Sequence, residues 1–268
     1  MYLCGQNLQT MKKRYNFEDE WFEADLDDLR RLLAENREYL KNYEEVFSSL
    51  DDDDYVARGN GFCDRKYSDD FVEGQMDKYT QRVSLLEQWI AEWPLEALKE
   101  GNARFASGKS VRKADYSAER EQLAKGQQPF AVVLCCSDSR VAPEILFDQG
   151  LGDLFVIRNA GNVVDEDVLG SIEYAVEHLH SQLVVVLGHS SCGAVTATCQ
   201  GGDLPGHIKT IAERIRPSLA ASCQIDDNAR RHAKRMAQII AENEIIKHEK
   251  AQVVAAFYDI RSGGVEWI

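Results

Sequence analysis

The chain has 268 residues, 44% of them hydrophobic, which suits one large domain or one medium domain with an appendage. Its net charge of −14 argues against binding to the phosphate backbone of nucleic acids. No run of about eighteen apolar residues occurs, so we expect no membrane-spanning helix. The seven cysteines are odd in number and irregularly spaced, which favours free thiols or metal ligands over a disulfide framework.

The beginning of the sequence predicts a cytoplasmic protein. Residues 1–17 lack the apolar core of a secretory signal. A cytosolic location follows if the sequence is complete, whereas a trimmed sequence would leave the location open.

The charge is distributed unevenly along the chain. Residues 1–95 hold 22 acidic and 12 basic side chains, whereas residues 96–268 hold 23 and 19. This shift in composition predicts an acidic extension over residues 1–95 and a main domain over residues 96–268.

The extension contains amphipathic helical patterns. Apolar residues recur at three- and four-residue steps from Leu26 to Leu50, and four aspartates at 51–54 then end the helix before a long loop. A second pattern runs from Met76 to Trp93, where Pro94 interrupts it before a third short helix, Leu95–Phe105. These helices either serve subunit pairing or regulation, or cover apolar surface of the main domain.

From Pro129 onward, short apolar runs alternate with helical stretches. The runs are Phe130–Leu134, Leu154–Ile157, Leu183–Leu187 and Val253–Tyr258, and the helical stretches are Val164–His178, Ala194–Cys199 and Asp226–Lys247. Unbroken apolar runs are typical of strands covered on both faces, and the alternation predicts an α/β fold with a mainly parallel central sheet flanked by helices. A turn at residues 261–264 predicts a hairpin edge at Val265–Ile268.

Two motifs follow directly after two of the predicted strands. Cys136, Asp138 and Arg140 come after the first strand, and His189 and Cys192 after the third. Because the carboxyl ends of parallel strands meet at one edge of a sheet, we expect these residues to converge. Two thiolates and an imidazole suit tetrahedral Zn²⁺, and three protein ligands leave the fourth position of a catalytic site open. The motifs therefore predict one zinc ion per chain, held by Cys136, His189 and Cys192.

Asp138 and Arg140 complete the predicted site. A carboxylate beside a zinc-bound hydroxide can accept a hydrogen bond from its O–H group. Arg140 can donate two hydrogen bonds to that carboxylate and keep it ionised. Cys192 begins a helix, whose backbone N–H groups favour a thiolate. The alternatives are buried free thiols, or a redox protein that uses Cys135 and Cys136, although adjacent cysteines form a strained disulfide.

With these motifs, the sequence from about Glu96 to Ile268 resembles the β-carbonic anhydrase family. The family signature is Cys-x-Asp-x-Arg, followed about fifty residues later by His-x-x-Cys, and its Arg-Asn-x-(Ala/Gly)-Asn segment matches Arg158–Asn162. The resemblance implies reversible hydration of CO₂ to bicarbonate and a proton by a zinc-bound hydroxide, with Asp138 and Arg140 as catalytic residues. It also implies a homodimer or a dimer of dimers with a substrate pocket at the subunit interface.

The resemblance further implies four substrate-binding residues: Gln127, Phe155, Ala160 and Tyr174. Gln127 would donate a hydrogen bond to the bound oxyanion, and Phe155 and Ala160 would offer apolar walls to the substrate. For Phe155 and Tyr174 the alternative is ordinary core packing.

Some features depart from the family or fall outside its signature. Members regulated by a non-catalytic bicarbonate often carry tryptophan where this chain has Val133, which puts that regulation in doubt, and Cys135 is interpreted as a small buried hydrophobe. In some members the matching aspartate swings onto the metal, and the sequence leaves this open for Asp138. The remaining cysteines, Cys199 among them, lack metal-type spacing, and His232 is interpreted as a solvated or helix-face residue.

Two other functions remain alternatives at this stage. The same scaffold could hydrolyse CS₂ or COS, which are linear, apolar analogues of CO₂. The chain could also be a non-catalytic zinc-binding regulatory homologue, although an intact set of ligands, Asp138 and Arg140 argues against it.

Overall fold

The computed structural model describes residues 12–17, 20–48, 69–111 and 115–268. The aspartates at 51–54 and the loop predicted after them lie outside these residues. The described residues form two compact units, which fall within Gln9–Trp93 and Pro94–Ile268. The predicted division at residue 95 into an extension and a zinc domain stays a prediction about folding domains.

The first unit combines a β-hairpin with helices. Strand β1 (Lys13–Phe17) pairs antiparallel with β2 (Glu20–Ala24), and neither strand was predicted from the sequence. Helix α1 (Leu26–Ser48) confirms the first predicted helix, and its start is capped by Asp25, whose Oδ1 accepts the backbone N–H of Asp28 at 2.9 Å.

A single helix, α2, replaces the two helices predicted on either side of Pro94. It runs from Asp69 to Ala106 with Pro94 inside it. Proline removes one backbone donor from the helix, but buried side chains flank it, with Trp93 2% and Leu98 0% exposed. The predicted interruption was therefore wrong, because tertiary packing on both sides outweighs the loss of one hydrogen bond.

A five-stranded sheet is the centre of the second unit. Its strands are β3 (Ala131–Cys136), β4 (Leu154–Asn159), β5 (Leu183–His189), β6 (Gln252–Tyr258) and β7 (Val265–Trp267). In the order β4-β3-β5-β6-β7, the first four are parallel and β7 pairs antiparallel with β6. This arrangement confirms the predicted α/β fold, the mainly parallel sheet and the hairpin edge.

Helices connect and cover the strands. They are α3 (Ser117–Leu123), α4 (Pro143–Leu146), α5 (Glu166–Glu177), α6 (Gly193–Gln200), α7 (Ile208–Ile215), α8 (Ile225–Ala241) and α9 (Glu244–His248). The single helix predicted over Asp226–Lys247 is divided into α8 and α9 because Asn243 caps α9. Its Oδ1 accepts the backbone N–H groups of Ile245 and Ile246 at 2.9 and 3.3 Å. No helix in the described ranges is long and apolar enough to cross a membrane.

Two clusters of buried apolar side chains within the described residues lie in the second unit. The larger lies on one sheet face and joins β3 and β5 to α5 and α8, as in Val132, Val184, Ile172 and Met236. The smaller lies at the carboxyl edge of the sheet, and its buried members are Cys136, Val163, Cys192, Val195, Ile215, Ala229 and Phe257. Two cysteines of the sequence motifs are thus enclosed by apolar side chains at the edge where parallel strands place ligand sites.

Candidate metal centre and active site

The structure brings Cys136, His189 and Cys192 together. Cys136 ends β3, His189 ends the neighbouring strand β5, and Cys192 is the residue before the first turn of α6. One ligand atom from each of the three residues lies within 4.8 Å of the others, and all three residues are buried. The convergence results from the parallel pairing of β3 and β5, which brings their carboxyl ends to the same edge.

The imidazole of His189 has one nitrogen free for a ligand. Its Nδ1 lies 3.0 Å from the carbonyl oxygen of Ser190, which only accepts, so Nδ1 carries the proton and donates it. Nε2 therefore carries the lone pair, and it is buried without a hydrogen-bond partner. A buried, unpaired imidazole nitrogen beside two thiols fits a metal ion.

The two motif cysteines shift each other's pKa. The side-chain contact between their sulfurs is the main cause that lowers the pKa of Cys136, and the backbone N–H of Gly161 also donates to its Sγ, at 3.3 Å. The same contact and burial together raise the pKa of Cys192. A thiolate is the form of cysteine that binds metal, and the surroundings of Cys136 favour that form.

Cys135 is separated from this pair by the geometry of β3. Successive residues of a strand point to opposite faces, so the side chain of Cys135 lies on the face of the sheet opposite to that of Cys136. Burial raises the pKa of Cys135 to about 12, which keeps its thiol neutral. The residue fits the interpretation as a small buried hydrophobe and not a redox pair with Cys136.

Asp138 and Arg140 form a clamp in the loop after β3. Nε and Nη2 of Arg140 donate to Oδ1 and Oδ2 of Asp138 at 2.9 and 2.7 Å, and the backbone N–H of Arg140 donates to Oδ1 at 3.0 Å. The side-chain hydrogen bonds from Arg140 are the largest cause that holds the pKa of Asp138 well below its usual range. Asp138 is therefore an ionised hydrogen-bond acceptor at neutral pH.

Arg158 supports the same loop from the neighbouring strand. It lies on β4, and its Nη2 donates to the carbonyl oxygen of Asp138 at 2.9 Å while its Nε donates to that of Cys136 at 3.3 Å. These contacts hold the backbone that carries Cys136, a candidate metal ligand, and Asp138. The sequence identifies Arg158 only as part of a family segment, because a contact to backbone carbonyls leaves no residue pattern to detect.

The surroundings of Gly161, in the loop after β4, leave no room for a side chain. Its φ is +77°, and a Cβ would lie 2.8 Å from Cδ1 of Ile215 and 3.0 Å from Cβ of Ala194. Only glycine fits this conformation and this space without displacing neighbours. The tight packing brings the N–H of Gly161 to the sulfur of Cys136.

The predicted substrate-binding residues occupy different parts of the chain. Phe155 and Tyr174 contact each other, with ring centroids 6.4 Å apart, and Tyr174 is 48% exposed. Phe155 lies four residues before the end of β4, about 13 Å from the edge that carries the metal ligands. Ala160 follows that edge directly and is exposed, and Gln127 is exposed in the segment before β3.

An apolar cavity of about 260 Å³ lies beside the metal ligands, between α6 and α7. Gly193 and Ala194, which follow Cys192, form part of its wall. The complete lining is Ala160, Gly193, Ala194, Ala197, Thr198, Leu204, Ile208, Ile211 and Ala212. The hydroxyl of Thr198 donates to the carbonyl of Ala194 at 2.7 Å, so the cavity offers an apolar surface next to the site.

Of the two interpretations of His232, solvated or helix-face, the structure contradicts the first and places the residue on the buried face of α8. It is 0% exposed, and its ring nitrogens contact the carbonyl oxygen of Gly161 and the hydroxyl of Ser218. The helical periodicity of α8 shows which residues share a face, but it does not show that a polar residue on the buried face has partners.

The chain is similar to known carbonic anhydrases. A family model described as carbonic anhydrase matches residues 131–265. Carbonic anhydrase 2 of Mycobacterium tuberculosis is 44% identical over 188 residues, which cover 65% of this chain and 90% of that protein. The carbonic anhydrase of Mycolicibacterium smegmatis is 44% identical over 191 residues, which cover 66% and 92%.

Solved structures show the same fold. A tetrameric β-carbonic anhydrase of Sordaria macrospora aligns with a TM-score of 0.50 at 26% identity, covering 57% of this chain and 89% of that chain. A β-carbonic anhydrase of Aspergillus fumigatus aligns with a TM-score of 0.52 at 24% identity, covering 72% and 91%.

Proposed function

Because the chain belongs to the β-carbonic anhydrase family, we propose that it catalyses reversible hydration of CO₂ to bicarbonate and a proton, with zinc held by Cys136, His189 and Cys192. The observation that carries the proposal is the convergence of two cysteine sulfurs and one imidazole within 4.8 Å in a buried site.

The donor set fits zinc and a catalytic role. Two sulfurs and a nitrogen with a free lone pair are the ligands that Zn²⁺ prefers, and three protein ligands leave one tetrahedral position open. When bound, the ion supplies a Lewis acid that lowers the pKa of a water molecule to about 7.

Asp138 and Arg140 orient the nucleophile. The ionised carboxylate of Asp138 accepts a hydrogen bond from the attacking water, which directs the oxygen lone pair towards the carbon of CO₂. Arg140 holds both carboxylate oxygens, so the acceptor is fixed before the reaction begins. The apolar cavity between α6 and α7 offers a nonpolar surface beside the ligands for an uncharged substrate.

The remaining pocket residues argue for assembly of at least two chains. Phe155 and Tyr174 lie near the opposite end of β4 from the metal ligands of their own chain. At a site shared between two chains, they would border the zinc of the second chain, whose Ala160 forms an apolar wall. Gln127 precedes β3, at the same end of the sheet as Phe155, so it would donate to the oxyanion from the first chain as well. The strand β4 is at the edge of the described sheet, so that side of the sheet is open to a partner. We therefore propose a homodimer or a dimer of dimers; the location in the cytoplasm stays a prediction.

A stopped-flow CO₂ hydration assay, with zinc measured on the same protein, tests the proposal. We expect one zinc per chain and hydration activity that disappears on removal of zinc by a chelator and returns when zinc is restored. One bound zinc per chain with no hydration of CO₂ would contradict the proposal. If that protein hydrolysed CS₂ or COS, its substrate would be a CO₂ analogue. If it turned over none of CO₂, CS₂ and COS, it would be a regulatory homologue.

A further inference from the structure

His232 is a buried histidine to which the proposed reaction assigns no role. It lies on α8, where it is 0% exposed. Its Nε2 is 2.8 Å from the carbonyl oxygen of Gly161, and its Nδ1 is 3.0 Å from the hydroxyl oxygen of Ser218. Both polar atoms of the ring therefore have a specific partner.

The partners determine the tautomer of His232. A carbonyl oxygen can only accept, so Nε2 carries the proton and donates it to Gly161. Nδ1 is then the acceptor, and Ser218 donates its hydroxyl proton to it. Burial is the main cause that lowers the pKa of His232 to about 4, so the ring stays neutral at pH 7 and this arrangement persists.

Gly161 links His232 to the predicted metal ligand Cys136. The carbonyl oxygen of Gly161 accepts from His232, while its N–H donates to the Sγ of Cys136 at 3.3 Å. Ile215 and Ala194 enclose its α-carbon too closely to admit a side chain. Hydrogen bonds from Ser218 to His232 and from His232 to the carbonyl of Gly161 thus anchor the residue whose N–H donates to the sulfur.

We propose that His232 is a positioning residue for the metal, which acts through Gly161 to hold the N–H group that stabilises the thiolate of Cys136. The inference rests on the proposed function only in requiring a metal ion at Cys136. Groups that orient a ligand from outside the coordination sphere commonly change metal affinity by roughly 10–100-fold. Without His232 the loop after β4 loses one anchor, and the sulfur loses a correctly placed donor.

Two replacements of His232 separate this role from simple packing. His232→Leu fills a similar volume but removes the donor, whereas His232→Gln keeps an N–H group near the position of Nε2. Ile240→Ala is the matched control, because Ile240 is 0% exposed on the same helix, in the larger cluster that packs on the sheet. It loosens the fold without touching Gly161 or Ser218.

Two measurements test the inference. Zinc affinity is measured by competition with a chelator, and the thiolate-to-cobalt charge-transfer band is measured on the Co²⁺-loaded protein. We expect His232→Leu to bind zinc roughly 10–100-fold more weakly than wild type and to shift the band to lower energy, because the sulfur loses its hydrogen bond. His232→Gln should recover most of the affinity and the band position, and Ile240→Ala should leave both within about twofold of wild type.

A milder variant keeps the test usable if His232→Leu fails to fold. Ser218→Ala removes the donor to Nδ1 and frees the other tautomer, so we expect a loss of zinc affinity of about threefold to tenfold. Affinities of His232→Leu and Ser218→Ala equal to that of Ile240→Ala would overturn the inference, and so would a loss that His232→Gln does not reverse. These outcomes concern zinc binding alone, whereas a wild-type protein that binds zinc without hydrating CO₂ contradicts only the proposed function.

Discussion

Arg140 holds Asp138 by three hydrogen bonds, two from its guanidinium to separate carboxylate oxygens and one from its own backbone N–H. The two residues are only two positions apart, so the clamp is contained within one loop. The side chain of Asp138 is 16% exposed and that of Arg140 is 50% exposed. A largely buried carboxylate is thus kept ionised by a cation that remains in contact with solvent.

Arg140→Lys should make activity more sensitive to acid. Arg140 lowers the pKa of Asp138, and lysine keeps the charge but cannot donate to both carboxylate oxygens, so the pKa of Asp138 should rise towards its usual value. The ratio of kcat/KM in the variant to that in wild type should be constant at neutral and alkaline pH and fall only below about pH 5, where an ordinary aspartate begins to take up a proton. Arg158→Lys is the contrast, because Arg158 donates to backbone carbonyls, and its ratio should not depend on pH. A flat ratio for Arg140→Lys would contradict the prediction.

Asp138→Asn should reduce activity but preserve the metal. The amide is close in size to the carboxylate but is a poor acceptor for the attacking water, so we expect kcat/KM to fall by roughly 10²–10³-fold. Zinc content, measured by elemental analysis, should stay at one ion per chain. Loss of zinc instead would show that Asp138 is itself a ligand, as it is in the inactive form of some family members.

Cys192→Ser should abolish zinc binding, whereas Cys199→Ser should not. Cys192 belongs to the buried group of three potential ligands. Cys199 lies further along α6, where its sulfur accepts a hydrogen bond from Nδ2 of Asn228 at 3.4 Å. Both variants remove one sulfur from the same helix, so zinc content and CO₂ hydration compare a ligand with a packing residue. Zinc loss in Cys199→Ser would show that the metal site extends beyond the three residues.

Gly161→Ala and Gly170→Ala should have opposite effects on stability. At Gly161 a methyl group would lie 2.8 Å from Ile215, at a φ of +77°, and we expect a loss of about 1–3 kcal/mol together with weaker zinc binding. Gly170 lies within α5 with nothing within 4 Å of an added Cβ, so alanine there should stabilise by about 0.5–1 kcal/mol. Urea unfolding at a fixed zinc concentration measures both. Equal effects would show that the loop after β4 can adjust.

Arg104→Ala should destabilise the second unit far more than Lys99→Ala on the same helix. Arg104 donates from Nε to Oδ2 of Asp148 at 2.6 Å, and the side chain of Asp148 is 1% exposed. Replacement of the arginine therefore leaves a buried carboxyl group without its neighbouring cation. We expect a loss of about 3 kcal/mol in the free energy of unfolding. Lys99 pairs with Glu96 at the surface and should cost less than about 1 kcal/mol. Urea unfolding curves for the two variants give the comparison.

The sequence predicts the parts of the site that depend on local pattern. The apolar runs that form β3 and β5 are visible in the order of the residues, and Cys136 and His189 lie at the ends of these strands. The rule that parallel strands share a carboxyl edge then suffices to predict the convergence of the three ligands. Asn243 could also have been predicted, since asparagine before a short helical pattern is a frequent N-cap.

Other parts depend on contacts that leave no pattern in a single sequence. His232 and Arg158 act on backbone carbonyl groups, which every residue carries, so no second residue type marks the contact. The continuity of α2 through Pro94 depends on packing of Trp93 and Leu98, which outweighs a local preference. In the hairpin strands β1 and β2, Tyr15, Phe17 and Phe22 lie on one face and pack against Trp89, but five residues per strand are too few for this alternation to be recognised in a single sequence.

The positions of the ligands have a consequence for the order of folding and metal uptake. Cys136 and His189 end strands that pair in parallel, with two helices and one strand (α4, β4 and α5) between them in the chain. Parallel pairing of distant segments is a late and slow event, so the three donors assemble only after the sheet has formed. Under the proposed function, zinc would therefore be captured by an already folded chain, in contrast to small zinc domains in which the ion drives folding.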